Sequence, residues 1–365
     1  MPTTAITPFS GSYQPEDVQF LLQPLEMAYT PVAEKEQLIQ SGQSHYSDML
    51  SQEPAPSDTH LALFNQSLDE QGARLAQESV ALAKALQQQF AGEPATPIVL
   101  VSLVRAGVPL GVILQQTLRE MGVASVHYGI SIIRDRGIDE AALAYIEAKH
   151  GTKGIVFVDG WTGKGAITDE LAKNLVGRPG YPEQPRLVVL ADPGGCAWLS
   201  ASPEDWLIPF GILGAPVSGL VSRSIWTSEG VHGCVRCDHL AADDRSQFLV
   251  DVIGEYRRHL NLESILPAVL TEHQGLANPR RASRAVIQHI AKQYQVDSMN
   301  RIKPGIAEAT RAVLRRVPDH VLVRSLSDPD VALLVHLAQA SGVVISEVGD
   351  EIGPYRALTI IKKVR

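Results

Sequence analysis

Apolar positions along the chain change their spacing twice, and each change predicts a different kind of unit. Up to about Gly92 they recur at helical spacing among polar residues, most clearly in "LDEQGARLAQESVALAKALQQQF", so residues 1–92 are expected to form a helical cap or lid support. From Thr96 short runs of β-formers, "PIVLVSLV", "VHYGISII", "GIVFVD", "RLVVLAD" and "DWLIPFG", alternate with helical stretches such as "PLGVILQQTLREMG" and "AITDELAKNL". That alternation predicts an α/β core over residues 93–272: a doubly wound parallel sheet with helices on its faces. The breaker-rich "TEHQGLANPRRAS" then marks a linker, and residues 273–365 repeat the pattern as a smaller α/β unit: helix "GIAEATRAVLRR", strand "HVLVR", helix "DVALLVHLAQAS", strands "VVISEV" and "RALTIIKKV".

Composition adds limits. With 365 residues, 45% hydrophobic and 20% charged, the chain can bury a substantial core. No apolar run approaches the ~20 residues that span a bilayer, and the polar, proline-containing start is unlike a secretory signal. Three cysteines make no disulfide framework, which points to a reducing compartment, the cytoplasm. The net charge of −8 is uneven: residues 276–365 carry 14 Lys and Arg against 8 Asp and Glu. A polyanionic partner, if there is one, is therefore expected at the C-terminal unit.

The candidate chemistry starts at "GIVFVDGWTGKGAITDEL", where a strand ends at Asp159 and a glycine-rich loop leads into a helix. Unpaired backbone amides and the dipole at a helix N-terminus favour an anion there. Gly163, Gly165 and Ala166 allow close approach, and Lys164 adds a charge. The spacing fits neither a Walker A loop nor a dinucleotide fingerprint, which needs a glycine where Thr168 stands. A carboxylate one step before the cradle repels bare phosphate but accepts hydrogen bonds from sugar hydroxyls, so a ribose 5-phosphate suits both halves. The competing reading is a plain turn capped by Asp159. A second strand-end loop, "VSLVRAGVPLG", has Arg105 placed to clamp a doubly charged group before a helix starting near Pro109.

These two loops resemble the phosphoribosyl-diphosphate (PRPP) and pyrophosphate loops of type I phosphoribosyltransferases. Over almost its full length, with "FSGSYQPEDVQFLL" and "EKEQLIQSGQSHYSDML" as further markers, the chain is similar to a bacterial stress-associated subfamily found near tellurite-resistance genes and sometimes labelled StiP-type cysteine protease. The resemblance implies a type I phosphoribosyltransferase fold with Asp159 on the ribose hydroxyls, Thr162, Gly163, Lys164, Gly165, Ala166 and Ile167 around the 5-phosphate, and Val104, Arg105, Ala106 and Gly107 on the pyrophosphate. Mg2+ would be held through PRPP near Asp159. Arg105 and Asp159 would be the catalytic residues of a phosphoribosyl transfer to a small base-like or amine acceptor. Gly160 stands where most members carry a second acid.

Around this centre, Arg134 and Arg136 in "SIIRDRGIDEAAL" are candidates for a loop that closes over the pyrophosphate, with solvated turn charges as the alternative. Asp192, Gly194 and Gly195 in "VVLADPGGCAWL" are candidates for the acceptor pocket. The competing functions are a non-catalytic PRPP-, nucleotide- or RNA-binding regulator and a cysteine protease. For the protease, Cys196, Cys234 and Cys237 are the thiols and His232 or His239 the base; "HGCVRCDH" can alternatively seed a metal site or be structural. The C-terminal unit resembles Pelota-type RNA-binding domains. That resemblance implies RNA contact through Lys303, Gly305, Glu308 and Arg311, with Ala307 in place of an asparagine; a solvated basic helix face is the alternative. Assembly, including a homodimer, stays open.

Overall fold

The computed structural model describes residues 6–92, 96–271 and 278–363. The expected boundary at residues 92/93 and the linker residues 272–277 touch or lie outside the described residues. Two short strands, β1 (Gln19–Phe20) and β2 (Gln23–Pro24), precede helices α1 (Val32–Gln40) and α2 (Asp58–Gln89). Then follow β3 (Ile98–Val104), α3 (Gly107–Glu120), β4 (Ser125–Ile133), β5 (Gly137–Ile138), α4 (Glu140–His150), β6 (Ile155–Val158) and α5 (Ala166–Leu175). The core closes with β7 (Leu187–Ala191), β8 (Leu199–Ser202), α6 (Pro209–Ile212), β9 (Gly233–Cys234) and α7 (Ser246–Arg258).

The main sheet has seven strands, in the order β1-β4-β3-β6-β7-β8, with β5 antiparallel beside β4 and every other pairing parallel. Strand β3 is buried along its whole length, as a central parallel strand must be when helices cover both faces. Ile98 and Leu100 pack with Phe64 and Leu75 of α2, Val112 of α3 and Leu249 of α7. Val99, Val101 and Leu103 point the other way, against Leu143 and Ile146 of α4 and Leu171 of α5. Each such side chain contributes roughly 1.5–3 kcal/mol when fully buried. The N-terminal segment does not stand apart as a cap: α2 is a layer of this core, its start capped by Ser57 Oγ, which accepts from His60 N at 3.2 Å.

One expected strand is absent. In "DWLIPFG" Trp206 and Ile208 are buried, but Pro209 lacks a ladder donor and opens the short helix α6 instead. The next sheet position goes to β8.

The C-terminal unit comprises α8 (Pro279–Gln293), β10 (Ile302–Pro304), α9 (Ile306–Arg315), β11 (Pro318–Val323), α10 (Ala332–Ala340), β12 (Val344–Glu347) and β13 (Ala357–Ile361), its sheet ordered β10-β13-β11-β12. Helix α8 occupies part of the stretch expected as linker; Asn278 caps it by accepting from Arg281 N at 3.1 Å. The unit shares a core with the rest of the chain, because Ile306, Ala309 and Val313 of α9 belong to the same apolar cluster as Phe210 and Ile212. Buried Asp205 fastens the seam by accepting from Ile306 N at 3.0 Å and Arg356 N at 2.8 Å. Among the described residues no helix is long and apolar enough to cross a membrane.

Candidate functional site

The two sequence-singled loops lie side by side because β3 and β6 are neighbours in the sheet. A Cβ on Gly107 would sit 3.0 Å from Asp159 Cα, so only glycine lets the start of α3 approach the end of β6 this closely. The Val104–Arg105 peptide is cis. Beyond both loops opens a cavity of about 1020 Å³ that is walled on its far side by the C-terminal unit. Its described lining includes eleven Lys and Arg against four Asp and Glu. Such a surplus of one sign lining a recess favours an anionic guest.

At the end of β6, the amides of Gly163, Lys164, Gly165 and Ala166 donate to no described residue and stand at the N-terminus of α5. Gly165 has φ +84°, and a Cβ there would lie 2.7 Å from Cys196 Sγ. Asp159 faces the cavity and accepts from Gly160 N at 2.8 Å. Burial pushes its carboxyl up to about 7, against the pull of that amide and of Arg311. Thr162 instead turns its hydroxyl to Asp192. Lys164 reaches across to the C-terminal unit, donating to Ile302 O at 3.0 Å and to Met299 O. Ile167 also lines the cavity.

Arg105 lines the cavity but is already engaged. It is buried, donating to Glu53 Oε2 at 2.8 Å and to Val221 O at 3.2 Å. Burial alone would raise the Glu53 carboxyl, but Arg105 and Arg315 hold it down at about 2. Val104 and Ala106 face the same space. Arg134 lines the cavity and donates to Asn300 Oδ1 at 3.3 Å, whereas Arg136 pairs with Asp48 and stacks on Trp226 at 4.5 Å. Asp192, Gly194 and Gly195 do not face the cavity. Asp192 accepts from Cys196 N at 2.8 Å and Ala197 N at 3.1 Å, Gly194 N donates to Thr162 Oγ1 at 3.1 Å, and Gly195 N donates to Asp192 O at 3.0 Å. They brace the loop from behind rather than line an acceptor pocket.

The residues expected to meet RNA are turned inward. Lys303, Glu308 and Arg311 line the cavity, and Gly305, with φ +90°, starts α9 beside Asp205. Arg311 lies over the ring of Trp161 at 4.6 Å, and Trp161 also stacks on Phe210. A solvated basic helix face is therefore not what this side of α9 presents.

All three thiols are buried and free, and burial raises Cys196 and Cys234 to about 12 and Cys237 to about 11. Cys237 alone among them lines the cavity, where Arg105 and Arg315 pull its pKa down and Glu53 pushes it up. His239 follows two residues later, its Nε2 2.9 Å from Glu53 O. His232 is buried and points its Nδ1 at Ser131 Oγ, 2.7 Å away. The described residues contain no group of three or more His, Cys, Asp or Glu that could hold a metal ion, so "HGCVRCDH" forms none. A magnesium ion near Asp159 would rely on ligand oxygens, because Gly160 offers no second carboxylate. Lys35, Glu53, Trp161 and Arg223 also line the cavity, although nothing local in the sequence singles them out; Trp161 lies in the glycine-rich loop, Lys35 within "EKEQLIQSGQSHYSDML" and Glu53 just beyond its end.

Comparison with known proteins bears on the chemistry. The profile described as tellurite-like stress resistance cysteine protease StiP matches residues 11–254, and that of the PELOTA RNA binding domain matches residues 281–363. A protein of Acinetobacter baylyi named cysteine protease StiP is 51% identical over 98% of this chain and 95% of its own length. Among solved structures, a hypoxanthine phosphoribosyltransferase of Trypanosoma cruzi is similar at 16% identity and TM-score 0.26, covering 36% of this chain and 77% of that one. The same enzyme in complex with its product IMP gives 14% identity and TM-score 0.28, covering 47% and 90%. Scores this low carry neither the phosphoribosyltransferase fold nor its reaction. The expectation of phosphoribosyl transfer from PRPP is overturned by the near-full-length relative and the family match, both of which name a cysteine protease.

Proposed function

We propose a thiol-dependent peptide hydrolase from one premise: the chain belongs to the family described as tellurite-like stress resistance cysteine protease StiP. The observation that carries the assignment of residues is that Cys237 is the thiol facing the cationic cavity, while Cys196 and Cys234 do not line it. The surplus of Lys and Arg around it suits an acidic peptide segment as substrate. In this reading Cys237 Sγ attacks the carbonyl carbon of the peptide bond as its proton passes to His239. The C–N bond breaks, the leaving amine takes that proton, and water then cleaves the thioester to restore the thiol. In this reading Arg105 and Arg315 turn from their pairing with Glu53 to steady negative charge in these steps. The match of residues 281–363 to an RNA-binding domain supports RNA as a further partner of the C-terminal unit.

The test is cleavage of an acidic peptide library by the full chain and by its Cys237→Ser and Cys196→Ser variants. Loss of cleavage in Cys237→Ser alone, with an unchanged thermal midpoint, is expected. Cleavage that survives Cys237→Ser removes this thiol from the role.

A further inference from the structure

Part of the cavity wall is a face of α1, which neither strand-end loop supplies. Val32, Lys35 and Ile39 are spaced three and four residues apart on that helix, and all three line the cavity together with Leu50. Lys35 is only 7% exposed, and its ammonium makes no hydrogen bond or ion pair with a described residue. The cations around it already have acceptors. Arg223 donates to Tyr46 O at 2.5 Å and to Met49 O, Arg316 pairs with Glu36 at 2.9 Å, and Arg315 pairs with Glu53 at 3.5 Å. Burial, Arg223 and Arg316 lower the Lys35 ammonium to about 8, Arg315 adds to this, and Glu36 opposes it. Arg315 bears on the Cys237 thiol as well, so that one guanidinium is the electrostatic neighbour of both groups.

A buried ammonium without an acceptor is costly, and its surroundings specify the guest that relieves it. One open positive charge matches one negative charge. A phosphate dianion would need further open donors, which the committed guanidinium groups of Arg223, Arg315 and Arg316 do not offer. Val32, Ile39 and Leu50 suit a carbon chain that carries the charge better than a bare inorganic ion. We propose that Lys35 is a specificity-determining residue that reads a carboxylate of the peptide substrate, carried by an acidic side chain or by the C-terminal end. Both sources offer the same chemistry, a charge-assisted hydrogen bond from the ammonium to a carboxylate oxygen. Because the peptide nature of the guest rests on the hydrolase reading, the test scores binding apart from cleavage.

Binding is measured by calorimetry on the full chain carrying Cys237→Ala, which leaves the peptide intact. Three acetylated six-residue alanine peptides are compared: one with an internal glutamate and an amidated end, one with a free C-terminal carboxylate, and one amidated with neither. At least one carboxylate peptide should bind about tenfold or more tightly than the neutral one, as a single charge-assisted hydrogen bond implies, and Lys35→Met should remove that preference. Preference for the glutamate peptide identifies a side chain as the source, and preference for the free acid identifies the chain end. Trace acetylation with acetic anhydride, read by mass spectrometry, checks the contact with Lys35 in place: the preferred peptide should slow its labelling severalfold. Absence of binding, a neutral peptide that binds as tightly as the other two, a preference that survives Lys35→Met, or Lys35 labelling unchanged by peptide overturns the proposal. Cleavage of the preferred peptide by the unmodified chain is scored separately. Lys35-dependent binding without cleavage keeps the carboxylate contact and removes the hydrolase reading, whereas cleavage without Lys35-dependent binding does the reverse.

Discussion

The guanidinium of Arg311 lies 4.6 Å over the ring of Trp161, joining a helix of the C-terminal unit to the loop that leaves β6. The contact is favourable, on the order of 0.5–2 kcal/mol, yet the same guanidinium has a buried Nε with no partner. Its charge is thus held against a cost. Arg311→Met keeps an apolar stem on Trp161 and removes that unpaired charge, so the thermal midpoint without ligand should stay level or rise by a few degrees. A clear fall would mean that the charge supports the fold.

Cys237 should react slowly at neutral pH and faster as pH rises. Burial sets its thiol at about 11, and the thiolate is the reacting form, so alkylation should climb close to tenfold per pH unit between roughly 7 and 10. Glu53→Gln removes a negative charge that pushes this thiol up and frees Arg105 and Arg315 to stabilise the thiolate, so labelling should quicken. Mass-spectrometric rates for each cysteine check both, with Cys196 and Cys234 lagging because neither lines the cavity.

Glu53 should protect the fold against acid. Its folded carboxyl sits at about 2, below the ordinary value of 4.5, so its contribution is complete above about pH 4.5 and is lost as pH falls towards 2. The difference in urea stability between the unmodified chain and Glu53→Gln should be at most about 3 kcal/mol at pH 7 and should shrink across that window. A difference that does not change with pH would assign the effect to packing.

Gly165 should tolerate no side chain. Gly165→Ala meets both a φ of +84° and Cys196 Sγ at 2.7 Å, and should cost about 1–3 kcal/mol. Cys196→Ala in the same chain should recover the steric part and leave the backbone part. Full recovery in chemical denaturation would show that conformation contributes nothing.

What could be foreseen depended on how locally each feature is written. "AITDELAKNL" foretold α5 residue for residue, because a glycine-rich turn precedes it and its apolar spacing is helical. A parallel sheet followed from alternating strands and helices, although the adjacency of β3 and β6 within it did not. The cavity did not: Glu53 meets Arg105 and Arg315, and Arg311 meets Trp161, across stretches of chain that no local pattern connects. Two strand-end loops facing one cavity were legible as geometry, whereas the reaction was not, since unpaired amides favour an anion whatever chemistry lies beside them. Lys303 in β10 and Arg311 in α9 read as RNA contacts or solvated charges because local spacing alone does not say which neighbour covers a face.

The shared apolar cluster of Phe210, Ile212, Ile306 and Ala309 means that the C-terminal unit is not a detachable module. A chain cut before α8 would leave oily surface on the remainder, inviting self-association, and the severed piece would carry the matching scar. Heating should accordingly melt both halves in one cooperative step, and any inherited change to the basic helix must be tolerated by the other half at the same time.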